Sequence, residues 1–209
     1  MPPPPAPSIE QRSPRVVAAF DFDGTLTTRD TFARVIGWRL ARWRFIQHWL
    51  ATSPLLAKYA LGIVSNDAHK MALFNRRFGG WTLPEFERHS SDFAAVRIPQ
   101  LLRPAAVEKL KVHLRWGHTV VVVTASFPHW IDPWAQSAGV SKVLGSHLEI
   151  EKNQLTGRMA GPNCYGPEKL RRLLAAFPDR DQYTLVAYGD SRGDRELLAA
   201  ADEAFFRRF

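Results

Sequence analysis

The sequence predicts an α/β fold, with a doubly wound parallel sheet and an inserted helical cap. Short apolar runs that are typical of buried strands alternate with segments of helical spacing, as a parallel sheet requires. One long segment, residues 31–100, interrupts this alternation and is mostly helical in pattern. The chain of 209 residues is long enough for one well-buried core that carries a modest insertion.

The first predicted strand is the apolar run at 16–20, and two carboxylates follow it directly. Asp21 and Asp23 stand where the strand ends and the chain turns at Gly24. Open α/β sheets bind ligands in this position, beyond the carboxyl ends of their strands. One carboxylate can attack phosphorus once a metal ion neutralises the incoming phosphate, while the other transfers the proton. Taken alone, the same residues are also typical of a simple turn after a strand.

Residues 31–100 are predicted to form a helical cap over this position. A first helix is indicated by large apolar side chains at helical spacing, and Pro54 should kink or end it. These side chains belong to Trp43, Phe45, Ile46, Trp49 and Leu50. A second helix is predicted at about 68–78, before two glycines. The residues Thr-Leu-Pro-Glu at 82–85 open a third helix with the pattern of a capping box.

The rest of the chain supplies the remaining core elements. We predict a helix at 104–116, a strand at 119–123, a helix at 127–138, a hairpin at 148–158 and an edge strand at 203–206. The core domain is therefore expected to comprise residues 15–30 and 101–209, with the cap at 31–100. Residues 1–14, which include four consecutive prolines, are expected to be a disordered tail.

The apolar run at 120–123 leads to a second group of polar residues. The Thr124 hydroxyl, with the backbone amides of Ala125 and Ser126, can hold phosphate oxygens there. A Ser/Thr turn or a helix cap is the alternative interpretation of this segment.

A lysine and an acidic loop complete the candidate site. Lys169 lies in the first turn of a helix that Pro167 opens, where a cation is unfavourable for the helix dipole. A role for Lys169 in neutralising an aspartate and a phosphate would explain a cation at this position, although most single lysines are simply solvated. The apolar run at 185–187 leads to Asp190 and Asp194, whose hard oxygen ligands suit Mg²⁺. An acidic turn that caps the next helix is the alternative.

In this order, the four motifs resemble those of the haloacid dehalogenase superfamily: Asp-x-Asp-x-Thr, an apolar run ending in Ser or Thr, a lysine, and Gly-Asp-x-x-x-Asp. The resemblance implies a Mg²⁺-dependent phosphomonoester phosphatase that works through an aspartyl phosphate. Its nucleophile would be Asp21, its general acid and base Asp23, its phosphate-binding hydroxyl Thr124 and its charge neutraliser Lys169. Mg²⁺ would be held by the Asp21 carboxylate, the Asp23 backbone carbonyl and Asp190, with Asp194 a further ligand through water or an orienter of Lys169. The dehalogenase branch lacks a second motif aspartate, so the presence of Asp23 argues against dehalogenation.

The helical cap and the hairpin before the lysine resemble the phosphoserine-phosphatase-like branch of the superfamily. Phosphoserine phosphatases carry a glutamate nine residues after the nucleophile to hold the substrate amine, whereas this chain has the shorter Asp30 there. Asp30 is a candidate substrate-binding residue whose length weakens the phosphoserine assignment. The basic, aromatic cap is also similar to that of bacterial phosphatidylglycerophosphate phosphatases, which act at membranes. A small phosphorylated metabolite such as phosphoserine and a phospholipid head group both stay open as substrates.

Charge bears on the partners of this chain. The formal net charge is +8, and an arginine-rich start of the cap can steer anionic substrates, dock on an anionic membrane or simply be solvated. These arginines are Arg29, Arg34, Arg39, Arg42 and Arg44. The alternative function is a basic protein that binds nucleic acid or a membrane surface without catalysis. No nucleic-acid-binding motif is recognisable, so no nucleic-acid partner is expected.

A cytoplasmic location is expected. The single cysteine, Cys164, excludes an intramolecular disulfide framework, and the N-terminus lacks the apolar stretch of a secretory signal. Segment 43–64 lacks the roughly 18 uninterrupted apolar residues of a transmembrane helix. A membrane contact would therefore be peripheral, through the cap at the inner membrane face. The sequence does not give the oligomeric state.

Overall fold

The computed structural model describes residues 15–41, 43, 46, 47, 54, 61 and 65–209. The predicted tail at 1–14 lies outside these residues. So does most of the first predicted cap helix, including Phe45, Trp49 and Leu50, together with Arg42 and Arg44.

The described strands form a five-stranded parallel sheet and a separate two-stranded hairpin. In chain order the strands are β1 (Arg15–Phe20), β2 (Thr119–Val123), β3 (Lys142–Leu144), β4 (Leu148–Glu151), β5 (Gln154–Met159), β6 (Tyr183–Gly189) and β7 (Glu203–Phe206). The order in the large sheet is β3-β2-β1-β6-β7, and all its pairs are parallel. This sheet, flanked by helices, confirms the predicted α/β fold class.

The middle of the sheet is buried on both faces. Ala18 of β1 pairs with Val120 of β2 on one side and Val186 of β6 on the other, and all three side chains are buried. Because both faces are covered by helices, these strands consist almost entirely of apolar residues rather than alternating with polar ones. The strand order also sets the carboxyl ends of β1, β2 and β6 side by side, so the three strand-end motifs meet at one edge.

Eight α-helices are described in these ranges. In chain order they are α1 (Thr31–Gly37), α2 (Asn66–Phe78), α3 (Leu83–Val96), α4 (Ile98–Leu101), α5 (Pro104–Arg115), α6 (Asp132–Ser137), α7 (Pro167–Ala176) and α8 (Arg195–Ala199). The first five lie between β1 and β2 in the chain. Among the described residues, no helix combines the length and the apolar character that crossing a bilayer demands.

The predicted helix starts are largely confirmed. α2 begins two residues before the predicted position 68, because the Ser65 side chain accepts a hydrogen bond from the Ala68 amide and caps the helix there. The capping box of α3 is present, with the Glu85 carboxylate accepting from the Thr82 amide at 2.9 Å. Pro167 occupies the first position of α7, as predicted.

The helix predicted at 127–138 is wrong as a single element. A 3₁₀ turn covers Pro128–Trp130, and α6 starts only at Asp132. Pro133 has no amide hydrogen and disfavours helical geometry at the residue before it, so it fits the first turn of a new helix but not the interior of a long one. The hairpin and the edge strand at 203–206 are confirmed, with Lys152 and Asn153 in the left-handed region between β4 and β5.

Aromatic side chains join the helices after β1 to the segment after β2. The ring of Phe74 in α2 lies 5.5 Å from both Phe86 of α3 and Phe127, measured between centroids, and all three are fully buried. Aromatic pairs at such distances add stabilisation beyond the area that they bury. This cluster fixes the C-terminal half of α2 against α3 and the segment after β2.

A buried histidine connects α5 to the sheet. His113 Nε2 lies 3.0 Å from the Tyr188 hydroxyl, and its Nδ1 lies 2.8 Å from Nδ1 of His118. Burial, with a smaller contribution from His118, lowers the pKa of His113 to about 4. His113 is therefore neutral in the folded protein near pH 7.

Candidate active site

The candidate site lies beyond the carboxyl edge of the large sheet, as the sequence predicts. Asp21 follows β1, Thr124 follows β2 and Asp190 follows β6. The Asp21 amide donates to the Tyr188 carbonyl at 2.9 Å, which continues the pairing of β1 with β6 past the end of β1. Asp21, Thr124 and Lys169 line a cavity of about 350 Å³ at this edge.

Lys169 lies between two carboxylates. Its Nζ is 2.5 Å from Asp21 Oδ1 and 2.5 Å from Asp194 Oδ1, and all three side chains are almost fully buried. Burial alone would lower the pKa of Lys169, but the two carboxylates outweigh it and raise that pKa. The lysine in the first turn of α7 is therefore a buried, paired cation and not a solvated one.

Asp194 also fixes the loop that follows β6. Its second oxygen, Oδ2, accepts hydrogen bonds from the Ser191 hydroxyl at 2.9 Å and from the amides of Ser191 and Asp190 at 3.0 and 3.2 Å. A Cβ at Gly189 would lie 2.5 Å from the Cβ of Asp194, so only glycine allows this close packing. Both oxygens of Asp194 thus have partners in the folded chain.

Three aspartates form a compact group of oxygen donors. Carboxylate oxygens of Asp21, Asp190 and Asp194 all lie within 4.8 Å of one another. Gly24, with φ +94°, makes room for Asp190, because a Cβ there would lie 2.4 Å from Asp190 Oδ2. Hard carboxylate oxygens in this number fit a hard divalent cation such as Mg²⁺.

The side chain of Asp23 lies outside this group. Its Oδ1 accepts from the Thr31 amide at 2.7 Å and its Oδ2 from the Ser126 hydroxyl at 2.6 Å. Burial, followed by the nearby Asp30 carboxylate, raises the pKa of Asp23 to about 6. A carboxyl that titrates close to neutrality can both give and take a proton at physiological pH.

The segment after β2 is held by hydrogen bonds of its own. The Ser126 amide donates to Thr124 Oγ1 at 3.0 Å, so this amide has a partner within the segment. Because the Ser126 hydroxyl donates to Asp23, the segment connects the predicted phosphate-binding residues to the predicted acid and base. Ala125 and Ser126 line the cavity together with Thr124.

The opposite wall of the cavity comes from the helices after β1. Asp30 lines it and also caps α1, because its Oδ1 accepts from the Ala33 amide at 2.8 Å. Lys70 of α2 lines it as well, although nothing in the sequence distinguishes this lysine from the solvated ones. Asn163 and Tyr165, from the loop before α7, reach the cavity too, and no local pattern indicates them.

The chain is similar to known proteins over most of its length. The family model for haloacid dehalogenase-like hydrolases matches residues 18–199. Protein CicA of Caulobacter vibrioides is 35% identical over 196 residues, which cover 93% of this chain and 86% of that protein. A phosphoserine phosphatase of Archaeoglobus fulgidus is 32% identical over 87 residues, covering 41% of this chain and 25% of that enzyme.

Solved structures share the fold. A Bordetella pertussis Tohama I protein superposes with a TM-score of 0.74 at 21% identity, over 90% of this chain and 88% of that one. A substrate-bound phosphoserine phosphatase gives a TM-score of 0.59 at 17% identity, over 93% and 87% of the two chains. The chain therefore belongs to the haloacid dehalogenase-like hydrolases, in their phosphoserine-phosphatase-like branch, and is a phosphatase that acts on phosphoric monoesters.

Proposed function

We propose that this phosphatase uses Mg²⁺ and forms an acyl phosphate on Asp21. The observation that supports this most is the position of Asp21, which contacts the Lys169 ammonium at 2.5 Å and belongs to the group of three carboxylates. A carboxylate so placed faces the cavity, where a phosphate can lie in line with it. Core residues 15–30 and 101–209 would supply this chemistry, and the cap at 31–100 would supply the wall around the leaving group.

The proposed reaction has two displacements. In the first, an Asp21 oxygen bonds to phosphorus, the bond from phosphorus to the leaving oxygen breaks, and Asp23 gives that oxygen its proton. In the second, Asp23 takes a proton from water, whose oxygen bonds to phosphorus while the bond to Asp21 breaks. Inorganic phosphate leaves and both aspartates return to their starting states. The pKa of about 6 at Asp23 suits both proton transfers.

Fixed charge and donors would stabilise the transition state. Lys169 offsets negative charge beside Asp21, and the Thr124 hydroxyl binds a phosphoryl oxygen, as the amides after β2 are also predicted to do. Mg²⁺, when bound, neutralises charge on the phosphoryl oxygens. Asp21, the Asp23 carbonyl and Asp190 would hold it. Because both oxygens of Asp194 already have partners, its contacts favour the role of orienting Lys169 over that of a ligand.

The proposed substrate is a phosphomonoester whose leaving group lies against the wall formed by Asp30, Phe32 and Leu73. A cavity of about 350 Å³ has room for a phosphate and a small leaving group. Phosphoserine and the phosphatidylglycerophosphate head group are the two candidates, and Asp30 would contact either one.

A substrate panel tests this proposal. Phosphate release with Mg²⁺ is measured from phosphoserine, sugar phosphates, nucleotide monophosphates and phosphatidylglycerophosphate in detergent micelles, with the Asp21→Asn variant as the blank. Preference for the lipid would place the enzyme at the inner membrane face, and preference for a soluble ester would make the cap a lid over a cytoplasmic substrate. Absence of release from every ester would count against the proposal. Nucleic-acid or vesicle binding that persists in Asp21→Asn without Mg²⁺ would then favour the non-catalytic alternative.

A further inference from the structure

Two contacts from the start of α2 converge on one carbonyl of the segment after β2. Lys70 Nζ donates directly to the Ala125 carbonyl oxygen at 2.6 Å. The second contact is indirect and starts at Asp67, one helical turn earlier, whose Oδ1 accepts from Asn163 Nδ2 at 2.6 Å. The Ser146 hydroxyl completes it, lying 2.8 Å from Asn163 Oδ1 and 3.0 Å from the same Ala125 oxygen.

The direct contact is made by a desolvated cation. Lys70 Nζ lies 5.2 Å from the ring centre of Phe32 and 5.0 Å from that of Phe127, so aromatic faces replace much of its water. Burial lowers the pKa of Lys70, while Asp23 and other nearby carboxylates act in the opposite direction. A buried ammonium that has given up water depends on its remaining partners, which makes the Ala125 carbonyl an important one.

The indirect contact joins three core loops as well as α2. Ser146 is fully buried, accepts from the Cys164 amide at 3.0 Å, and its own amide donates to the Ser126 carbonyl at 2.9 Å. It therefore ties the segment after β2 to the loop after β3 and to the loop before α7. Asp67 connects these three loops to α2 through its hydrogen bond from Asn163.

The Ala125 carbonyl, which both contacts reach, lies between two residues that the proposed chemistry uses. Ala125 lies between Thr124, the predicted phosphate-binding hydroxyl, and Ser126, whose hydroxyl donates to Asp23 at 2.6 Å. A shift of the Ala125 carbonyl would move both neighbours, and errors of about 1 Å in such positions are costly to catalysis. The other end of α2 is held separately, by Phe74 in the aromatic cluster and by the Gly80 amide, which donates to the Leu155 carbonyl at 2.9 Å.

We propose that Asp67, Lys70, Asn163 and Ser146 form a polar clasp that couples α2 to the phosphate-binding segment and holds that segment in its reactive position. The proposal rests on the proposed function for the location of the phosphate at Thr124 and Ser126. The clasp residues are positioning residues, because the structure gives them contacts to the Ala125 carbonyl and to one another. A lysine that merely contacts the substrate from the cavity wall is the rival explanation for Lys70, but it leaves no role for Asp67, which does not line the cavity.

Hydrogen exchange and kinetics on matched variants test the clasp. The variants are Lys70→Met, Asp67→Ala, their combination, and Asp67→Asn, which keeps an oxygen that accepts from Asn163. Arg76→Met, on the exposed side of the same helix, is the charge-matched control for Lys70→Met. Exchange is followed by mass spectrometry in peptides from α2 and from residues 120–127, with β1 as the internal reference for global stability, and kcat/KM is measured with p-nitrophenyl phosphate.

The clasp predicts that Lys70→Met and Asp67→Ala each speed exchange in both peptides by about tenfold or more, without a change in β1, because each removes a partly buried polar contact. Each should lower kcat/KM by a similar factor, mostly through kcat, and the combined loss should be smaller than the product of the two. Asp67→Asn and Arg76→Met should resemble the wild type. The clasp is refuted if Asp67→Ala behaves like Arg76→Met, and a kinetic loss confined to Lys70→Met would support the rival. If the wild type released no phosphate, the proposed function would fail, while the exchange rates would still decide the coupling of α2 to the segment.

Discussion

Replacing Lys169 with methionine removes the ammonium that contacts both Asp21 and Asp194, each at 2.5 Å. Methionine fills a similar volume without charge, so the change leaves two buried carboxylates facing each other. Removing one partner of a buried ion pair typically costs about 3–5 kcal/mol. Burial raises the pKa of Asp21, so that carboxyl can take up a proton and relieve part of the repulsion. We therefore expect the free energy of unfolding to fall by about 3 kcal/mol, at the lower end of that range.

Activity should fall together with stability. If Lys169 stabilises charge at the reacting phosphoryl group, its loss should lower kcat by about 10²–10³-fold or more, as the loss of a preorganised donor does in other enzymes. The assays are urea unfolding at pH 7 in metal-free buffer and phosphate release with Mg²⁺. Lys111→Met, at an exposed position of α5, is the matched control and should change unfolding by no more than about 0.5 kcal/mol. A Lys169→Met variant with the stability and turnover of Lys111→Met would refute the reasoning.

Three further predictions concern other parts of the molecule. Asp23→Asn should lower the rates of both displacements by about 10²–10⁴-fold, since it removes the acid and base; pre-steady-state phosphate release with unchanged rates would contradict this role. Gly24→Ala would put a Cβ 2.4 Å from Asp190 Oδ2 at a φ of +94°, so it should destabilise the fold by about 1–3 kcal/mol and raise the Mg²⁺ concentration for half-maximal activity. An unchanged Mg²⁺ titration would argue against Asp190 as a ligand. His113 has a folded-state pKa of about 4, below its ordinary 6.5, so the stability that it contributes is complete above pH 6.5 and is lost as the pH falls towards 4. Relative to His113→Gln, the wild type should lose about 2–3 kcal/mol between pH 7.5 and 4.5 in urea unfolding. Parallel pH profiles of the two proteins would show that folding does not lower the pKa of His113.

The sequence predicts the parts of the fold that local pattern determines. The apolar runs of β1, β2 and β6 could be read directly, because strands buried on both faces must be apolar throughout. The motif residues that follow these strands could also be placed at one edge of the sheet, because the carboxyl ends of parallel strands lie at the same edge. The structure then brings together Asp21, Asp190 and Lys169 as that argument expects.

What the sequence could not predict depends on packing between distant segments. Lys70 lies near the site because the aromatic cluster around Phe74 fixes α2 over the segment after β2, and no local pattern encodes that docking. Asn163 gains its place through Ser146, which is 17 residues earlier in the chain. The helix predicted at 127–138 is wrong for a different reason, because Pro133 fits helical spacing only in the first turn of a helix.

The most direct test of the central claim is to look for the phosphoryl group on Asp21 itself. Wild-type protein is mixed with Mg²⁺ and its preferred phosphomonoester, quenched in acid within milliseconds, digested and analysed by mass spectrometry. The account predicts an acyl phosphate on the peptide that contains Asp21, more of it in Asp23→Asn, where hydrolysis is slowed, and none in Asp21→Asn. Substantial Mg²⁺-dependent turnover by Asp21→Asn, or phosphate release by the wild type with no phosphorylated Asp21 at any quench time, would contradict it.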